Sequence, residues 1–239
     1  CTFQSQNSDI ANLRDDSVIY PKTNGQTQIK AVFQNHQTQV SVLVSSMEQS
    51  VTTSFMNEVN PAITKAGCNA GTCHGSRVGK NGFKLSLRGY DPLYDHRALT
   101  DDVGSRRFNR AAPDQSLMLL KSTGTIPHVG GAQTKIGSTH YQLLRGWISS
   151  GAKLDLESPR VSSIEVLPVN PVVPRAGMKQ QMSVLATYAD GSVRDVTAEA
   201  FIESGDIEII DAAKSGLLTV LRRGEAPVLV RYEGAYAAT

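Results

Sequence analysis

The sequence predicts a multidomain chain in which a mainly α-helical domain lies between an incomplete all-β segment and a complete all-β sandwich. The chain has 239 residues, of which 40% are hydrophobic, and this is enough for two modest cores because domains commonly have ~100–200 residues. Apolar residues alternate near both ends, as in strands, and recur at helical spacing in the middle. We therefore expect domains at residues 1–48, 50–157 and 161–239.

The two ends of the chain resemble each other, which indicates an internal repeat. When Gly25 is set against Gly224, three alternating positions in each copy also coincide, as they would on one face of a strand. These positions are Ile29, Ala31 and Phe33 in the first copy and Val228, Val230 and Tyr232 in the second. Both copies are predicted to be β-structure.

The second copy has further strands upstream of the repeat. "SIEVLPV" and "MSVLATYADGSVRDVT" alternate in hydrophobicity, and Asp190-Gly191 predicts a hairpin turn. Nothing comparable precedes Phe3, so we expect the chain to begin in the middle of a β-sandwich and to be part of a longer polypeptide. Cys1 is then an ordinary strand residue and not the acylated first residue of a lipoprotein.

The β-repeat resembles the bacterial Ig-like group 2 family over about residues 161–239, and an incomplete copy covers about 2–46. The resemblance implies a small all-β Ig-like sandwich that acts as a spacer or binds at cell surfaces. It rests on Asp190-Gly191-Ser192, Asp195-Val196-Thr197, Asp206-Ile207 and Gly224.

The middle of the chain, residues 50–157, has helical periodicity. "DQSLMLLK" predicts a short helix after Pro113, and "FKLSLRGY" suggests a hairpin. Ser138 is available as an N-cap and Gly151 as the end of the last helix. The apolar positions at helical spacing are Phe55, Val59, Ile63 and Ala66 in the first helix and Tyr141, Leu144, Trp147 and Ile148 in the last.

"GCNAGTCHG", residues 67–75, places Cys68, Cys73 and His74 directly after the first predicted helix. The usual haem c motif, C-x-x-C-H, has two residues between its cysteines, whereas this one has four. Asn69, Ala70 and Gly71 are small or turn-forming and could loop out the extra length. The spacing leaves three possibilities: covalent haem, a Cys68–Cys73 disulfide, or a zinc site that recruits scattered histidines.

Three runs, "AGCNAGTCHGSRVGKNGFKLSLRGYDPLYDH", "SLMLLKSTGTIPHVGG" and "YQLLRGWISSGA", look like the cytochrome c domain of large exported planctomycete proteins. In those proteins the domain often lies between Ig-like repeats. The resemblance covers about residues 53–157 and implies a mainly α-helical cytochrome c-like domain with one covalent haem c. Cys68 and Cys73 would form the thioethers, and His74 would be the proximal iron ligand.

The second axial ligand is sought in the loop "TGTIPHVGGAQTKIG", which contains no methionine. His128 lies in this loop between Pro127 and two glycines, and we predict it to be the distal ligand. Met118, in "SLMLLK", is the competitor, although methionine among leucines is more often a flexible core residue.

Haem propionates require hydrogen-bond partners when they are buried, and three basic residues are candidates for this role. For each of them, an ordinary surface charge is the alternative interpretation. The candidates are Arg88, Arg107 and Lys84.

Two strong axial ligands leave no place for oxygen or peroxide, so the sequence predicts single-electron transfer to an unidentified redox partner protein rather than enzymatic catalysis. Bis-histidine ligation should give a lower reduction potential than His/Met ligation. One alternative is a haem-based sensor or peroxidase-like domain in which His128 is displaced. Another is a surface adhesion or scaffold module without haem, stapled by a disulfide.

Charge and hydropathy exclude other classes of protein. The 24 basic and 22 acidic residues give a net charge of +2 and are scattered, which is not typical of a nucleic-acid binder. No stretch approaches the ~18–20 apolar residues of a transmembrane segment. Because haem c is attached outside the cytoplasm, we expect an extracytoplasmic protein, in the periplasm or at the cell surface.

Overall fold

The structure is a computed structural model that describes residues 2–13, 18–49, 52–103 and 106–239. It divides into two compact units, Cys1–Thr52 and Thr53–Thr239. The prediction for Cys1 lies outside the described residues. Within the described part of the chain, no helix is long and apolar enough to cross a membrane.

The first unit consists of antiparallel strands. One sheet has the order β1-β4-β5, and β2 pairs with β3 in a two-stranded ribbon. Ile29 is buried, but Phe3 and Phe33 on the same sheet are about half exposed. The strands are β1 (Thr2–Ser5), β2 (Ala11–Leu13), β3 (Ile19–Pro21), β4 (Gly25–Phe33) and β5 (His36–Val44).

The C-terminal part of the second unit is an all-β fold built around one apolar core. The strands are β6 (Val161–Leu167), β7 (Lys179–Gln181), β8 (Ser183–Tyr188), β9 (Val193–Asp195), β10 (Phe201–Ser204), β11 (Ile210–Ala212), β12 (Leu217–Val220), β13 (Val228–Tyr232) and β14 (Ala235–Ala238). They form three sheets, β6-β8-β9, β10-β13-β14 and β11-β12-β7. Val184 and Ala186 of β8 and Val230 of β13 meet in the core, which is compatible with the predicted all-β sandwich.

The two copies of the repeat share one local arrangement. β4 and β13 each lie in the middle of a three-stranded sheet. Gly25 and Gly224 have φ of 150° and 159°, and a Cβ on either would lie within 2.8 Å of an isoleucine side chain, Ile10 or Ile209. The matched glycines therefore leave space for the same packing contact in both copies.

The predicted mainly α-helical domain is wrong. Strands account for 30% of the chain and helices for 19%, and the described residues hold four short helices. In the central segment, which we define as residues 53–157, loops with left-handed glycines such as Gly67, Gly79 and Gly131 separate the helices. The helices are α1 (Asn60–Ala66), α2 (Pro92–Thr100), α3 (Leu117–Ser122) and α4 (Thr139–Ser149), with a π-helical turn at Phe55–Val59 and 3-10 turns at Leu87–Gly89 and Pro113–Gln115.

The predicted hairpin at "FKLSLRGY" is also wrong. Only Lys80 and Phe83 form a bridge, and the chain then turns at Leu87–Gly89. Arg88 and Gly89 both have positive φ, which cannot continue a strand.

The first and last helical segments pack on each other around one tryptophan. Trp147 is fully buried, its ring centroid lies 5.2 Å from that of Phe55, and its indole N–H donates to the Lys153 carbonyl at 2.8 Å. Val59 and Ile148 join the same core. Since each large apolar side chain contributes ~1.5–3 kcal/mol when buried, this core fixes the end of α1, where the segment with Cys68, Cys73 and His74 begins.

The central segment and the C-terminal β-fold make direct contacts within the second unit. The Tyr232 hydroxyl donates to the Asn57 carbonyl at 2.8 Å, and the Asn57 amide donates to the Pro159 carbonyl at 3.1 Å. Buried Lys65 donates to the Ala200 carbonyl. The start of the first helical segment is thereby tied to the β-fold.

Candidate functional site

The cysteine loop, residues 67–75, begins where α1 ends. Gly67 has a left-handed φ of 83° and closes the helix. Backbone bonds then fold the loop on itself, because the Cys73 amide donates to the Ala70 carbonyl at 2.9 Å and the His74 amide to the Cys68 carbonyl at 3.0 Å. The four intervening residues are thus looped out, and His74 is brought back against Cys68.

Asn69 and Gly75 hold this loop together. Asn69 is buried, and its side-chain amide donates to Thr64 Oγ1 at 2.8 Å. A Cβ at Gly75 would lie only 2.0 Å from the Asn69 carbonyl oxygen, so no other residue fits there without moving backbone. The loop geometry therefore requires glycine directly after His74.

Cys68 and Cys73 are unpaired, partly buried thiols. Cys68 packs against the apolar core of the central segment. Burial, and secondarily the neighbouring Cys73, raises the pKa of the Cys68 thiol to about 11. Cys68 is therefore a protonated thiol near neutral pH when nothing is bound to it.

His74 is held at two points by the segment that follows the loop. Its Nδ1 lies 3.0 Å from the Phe83 carbonyl oxygen, and its own carbonyl accepts from the Leu85 amide at 2.8 Å. The imidazole also contacts the Phe83 ring, with centroids 4.6 Å apart.

The surroundings of His74 lower the pKa of its imidazole and so favour the neutral form. Burial is the main cause that lowers its pKa, and positive charge at His128, Arg107 and Lys80 lowers it further, against the opposing bond to the Phe83 carbonyl. A neutral imidazole whose Nδ1 proton is used by a backbone carbonyl presents Nε2 as a metal ligand.

His128 is anchored in the same way from its own loop. Its Nδ1 lies 2.9 Å from the Gly131 carbonyl oxygen. A Cβ at Gly130 would lie 2.9 Å from the imidazole Cε1, so a larger residue at this position would push the His128 ring aside. Lys121 donates to the Pro127 carbonyl at 2.6 Å and fixes the residue before His128.

The structure brings the imidazole rings of His74 and His128 close together. Their ring centroids lie 6.4 Å apart and the ring planes are 9° from parallel. Two imidazoles that bind one metal at ~2.0–2.1 Å, with each ring centre about 1.1 Å beyond its nitrogen, have centroids about 6 Å apart. Within the described part of the chain neither Nε2 has a hydrogen-bond partner, so each histidine has a ring nitrogen that could bind a metal.

Met118 lies elsewhere. It is half-buried on α3, packs against the core, and its amide donates to the Arg107 carbonyl at 3.2 Å. This position agrees with the alternative interpretation of Met118, that of a core residue rather than an iron ligand.

Of the three basic candidates, only Arg107 adjoins the histidine pair. It is 8% exposed, and its guanidinium carbon lies 4.1 Å from the centroid of the Phe83 ring that contacts His74. Arg88 is exposed and lines a cleft with Phe201 and Arg231 on the β-fold. Lys84 is exposed and lies 5.9 Å from the Tyr94 ring.

Sequence reasoning missed the backbone groups that orient the two imidazoles. The Phe83 and Gly131 carbonyls accept from the histidines, but any residue supplies a carbonyl, so no sequence pattern marks them. Lys80, whose charge acts on His74, was also missed. Among the described residues there is no group of three or more His, Cys, Asp or Glu that could hold a metal ion.

No protein-family model matches the chain. Comparison with curated proteins gave no significant match either.

Proposed function

We propose that this chain binds one covalent haem c in its central segment and transfers single electrons. The parallel pairing of the His74 and His128 rings at 6.4 Å carries the proposal, because that spacing matches two imidazoles on opposite sides of one metal. When bound, the haem supplies an iron atom that can change its charge by one electron.

Cys68 and Cys73 are the residues that would hold the haem covalently. The loop between them is closed by its own backbone bonds, and the His74 amide is hydrogen-bonded to the Cys68 carbonyl at 3.0 Å. This supports attachment by a C-x4-C-H motif, since the extra residues do not separate the histidine from the first cysteine.

His74 and His128 would bind the iron of the haem, and each is oriented by a backbone carbonyl at its Nδ1. Such carbonyl partners fix the ring orientation and raise the basicity of the ligand. Two strong protein ligands would leave no place on the iron for oxygen or peroxide, which favours electron transfer over catalysis.

Arg107 is the best candidate among the basic residues for a propionate. It is largely buried and adjoins the site, and the one side-chain hydrogen bond that it makes among the described residues goes to the Asp102 carbonyl, at 2.6 Å. A buried guanidinium is stabilised by an anionic partner. Because haem c is attached outside the cytoplasm, we further propose an extracytoplasmic location and a redox partner protein there.

The test is an optical spectrum of the protein expressed in a host that matures haem c, oxidised and dithionite-reduced, together with its pyridine haemochrome. We expect a covalent haem with saturated vinyl groups that is low-spin in both states. His128→Ala should become high-spin, whereas Met118→Leu should keep the low-spin spectrum because it conserves core volume.

Two results would contradict the proposal. A high-spin wild-type protein would indicate an open iron and therefore a sensor or peroxidase-like role. A colourless protein from that host would indicate a surface module without haem.

A further inference from the structure

Asp95 is a buried carboxylate that has no direct role in the proposed electron transfer. It lies on α2, is 1% exposed, and accepts two hydrogen bonds from one residue, from the Ser86 amide at 2.5 Å and from the Ser86 hydroxyl at 2.6 Å. The same hydroxyl accepts from the Asp91 amide at 3.1 Å. Burial of a carboxylate is costly, so its location calls for an explanation.

Ser86 ends the short segment that holds His74. Phe83 provides the carbonyl for the His74 Nδ1, and the Leu85 amide donates to the His74 carbonyl at 2.8 Å. At its other end this segment is fixed by the bridge between Lys80 and Phe83. Residues 83–86 thus hold both the ring and the backbone of His74. The bridge between Lys80 and Phe83 fixes the first end of this segment, and the bonds of Asp95 to Ser86 fix its last residue.

We infer that Asp95 is a positioning residue that sets the plane of the His74 imidazole through residues 83–86. This inference rests on the proposed haem site. Asp95 acts through Ser86, so it would control ring orientation and the strength of the Nδ1 hydrogen bond rather than binding of the iron. Both properties tune a haem, because partners beyond the direct ligands orient the imidazole and set its basicity.

Ring orientation can be read directly from the ferric haem. Near-parallel imidazole planes, like the 9° seen here, act on the same iron d orbital and split the d levels, which gives a rhombic low-spin electron paramagnetic resonance spectrum. When one plane rotates away, the splitting falls and the largest g value rises. A loss of stability alone does not change these values.

The experiment compares four holoproteins at about pH 8, where Asp95, whose pKa burial raises to about 6, is ionised. Asp95→Asn removes the charge and one acceptor, and Ser86→Ala removes the hydroxyl bond but keeps the charge. Asp155→Asn is the control, since Asp155 is likewise a carboxylate that accepts from backbone, from the Phe55 amide at 2.8 Å and the Met56 amide at 3.1 Å, but has no bond to residues 83–86.

We expect wild type and Asp155→Asn to share one rhombic spectrum and one reduction potential. Asp95→Asn and Ser86→Ala should both show a larger maximum g value and a shifted potential. Unchanged g values in both of these variants would overturn the inference while leaving the haem proposal intact. A wild-type protein without low-spin haem would instead overturn the proposed function and this inference with it.

Discussion

Glycine at two positions of the cysteine loop has very different consequences. Gly75 faces the Asn69 carbonyl so closely that an added Cβ would lie 2.0 Å from the oxygen. Gly71 has only the end of the Leu87 side chain nearby, at 3.7 Å, which is an ordinary contact. Neither has a positive φ, so the difference between them is one of space.

We predict that Gly75→Ala lowers the free energy of unfolding by at least ~2 kcal/mol, because backbone must move to relieve the clash. Gly71→Ala should leave it unchanged or raise it by ~0.4–1 kcal/mol through the unfolded state. The measurement is urea unfolding followed by the fluorescence of Trp147, the single tryptophan of the chain. Equal effects of the two substitutions would show that the loop is not closed as described.

At the residue scale, the candidate ligand residues could be predicted from the sequence, but the backbone groups that orient them could not. Cys68, Cys73 and His74 stand out by spacing, and His128 by the glycines after it. Their function stays a prediction. The Phe83 carbonyl beside His74 has no sequence signal because its place depends on the turn at Gly79, where a Cβ would lie 2.3 Å from the same oxygen.

Among the elements, the first helical segment has an unusually well-supported start. Ser54 Oγ accepts from the Asn57 amide at 2.9 Å, and Glu58 accepts from the Ser54 amide at 2.8 Å. This resembles a capping box whose acidic residue lies one position later, because the first turn is a π-helix. Asp155 satisfies the two amides between them, those of Phe55 and Met56.

We predict that Ser54→Ala lowers the free energy of unfolding of the second unit by ~1 kcal/mol, the usual cost of losing an N-cap. Ser149→Ala, in the exposed last turn of α4, is the control and should change it by less than ~0.5 kcal/mol. Urea unfolding followed by circular dichroism gives both values. A loss in Ser54→Ala no larger than in the control would mean that Asp155 and Glu58 are sufficient.

At the scale of elements, helices with a clear apolar periodicity were predicted correctly, and a helix without one was not. The segments at Phe55–Val59, α1, α3 and α4 occupy predicted helices, and Ser138 caps α4 as expected, accepting from the Tyr141 amide at 3.3 Å. α2 was missed, although Asp91 caps it and Pro92 occupies its first turn. Loops between these short helices contain the positive-φ glycines that make the predicted mainly helical domain wrong.

At the scale of the whole chain, the repeat could be predicted from sequence, but its uneven burial could not. Tyr232 is buried in the core of its β-fold, where its hydroxyl lies 3.1 Å from that of Tyr188, whereas its counterpart Phe33 is 55% exposed. The turns that follow these two residues, in contrast, have similar backbone conformations. Gln34 and Glu233 occupy equivalent positions with φ of 54° and 46°.

Glu233 is a buried carboxylate in this turn. Its side chain is 3% exposed, Arg160 Nε lies 3.5 Å from its Oε2, and within the described residues neither carboxylate oxygen has a hydrogen-bond partner. Burial raises the pKa of Glu233 from 4.5 to about 7, and Arg160 opposes the shift. The folded state therefore binds this proton more tightly than the unfolded state does.

The stability that this proton provides is fully present below about pH 4.5 and is lost as the pH rises through about 7, because only the folded state has the raised pKa. We predict that Glu233→Gln, which uses the residue found at the equivalent position 34, matches wild type near pH 4.5 but exceeds its free energy of unfolding by up to ~3 kcal/mol near pH 8. Urea unfolding across this pH range measures the free energy of unfolding of both proteins.

Glu208→Gln, at an exposed ion pair with Arg222, is the control and should leave the pH dependence nearly unchanged. Because buried Asp95 adds a slope of the same sign, the difference between Glu233→Gln and wild type, rather than either curve alone, isolates Glu233. If that difference did not grow between acid and alkaline pH, Glu233 would have to be ionised in the folded protein throughout, with Arg160 fully offsetting the cost of burying its carboxylate.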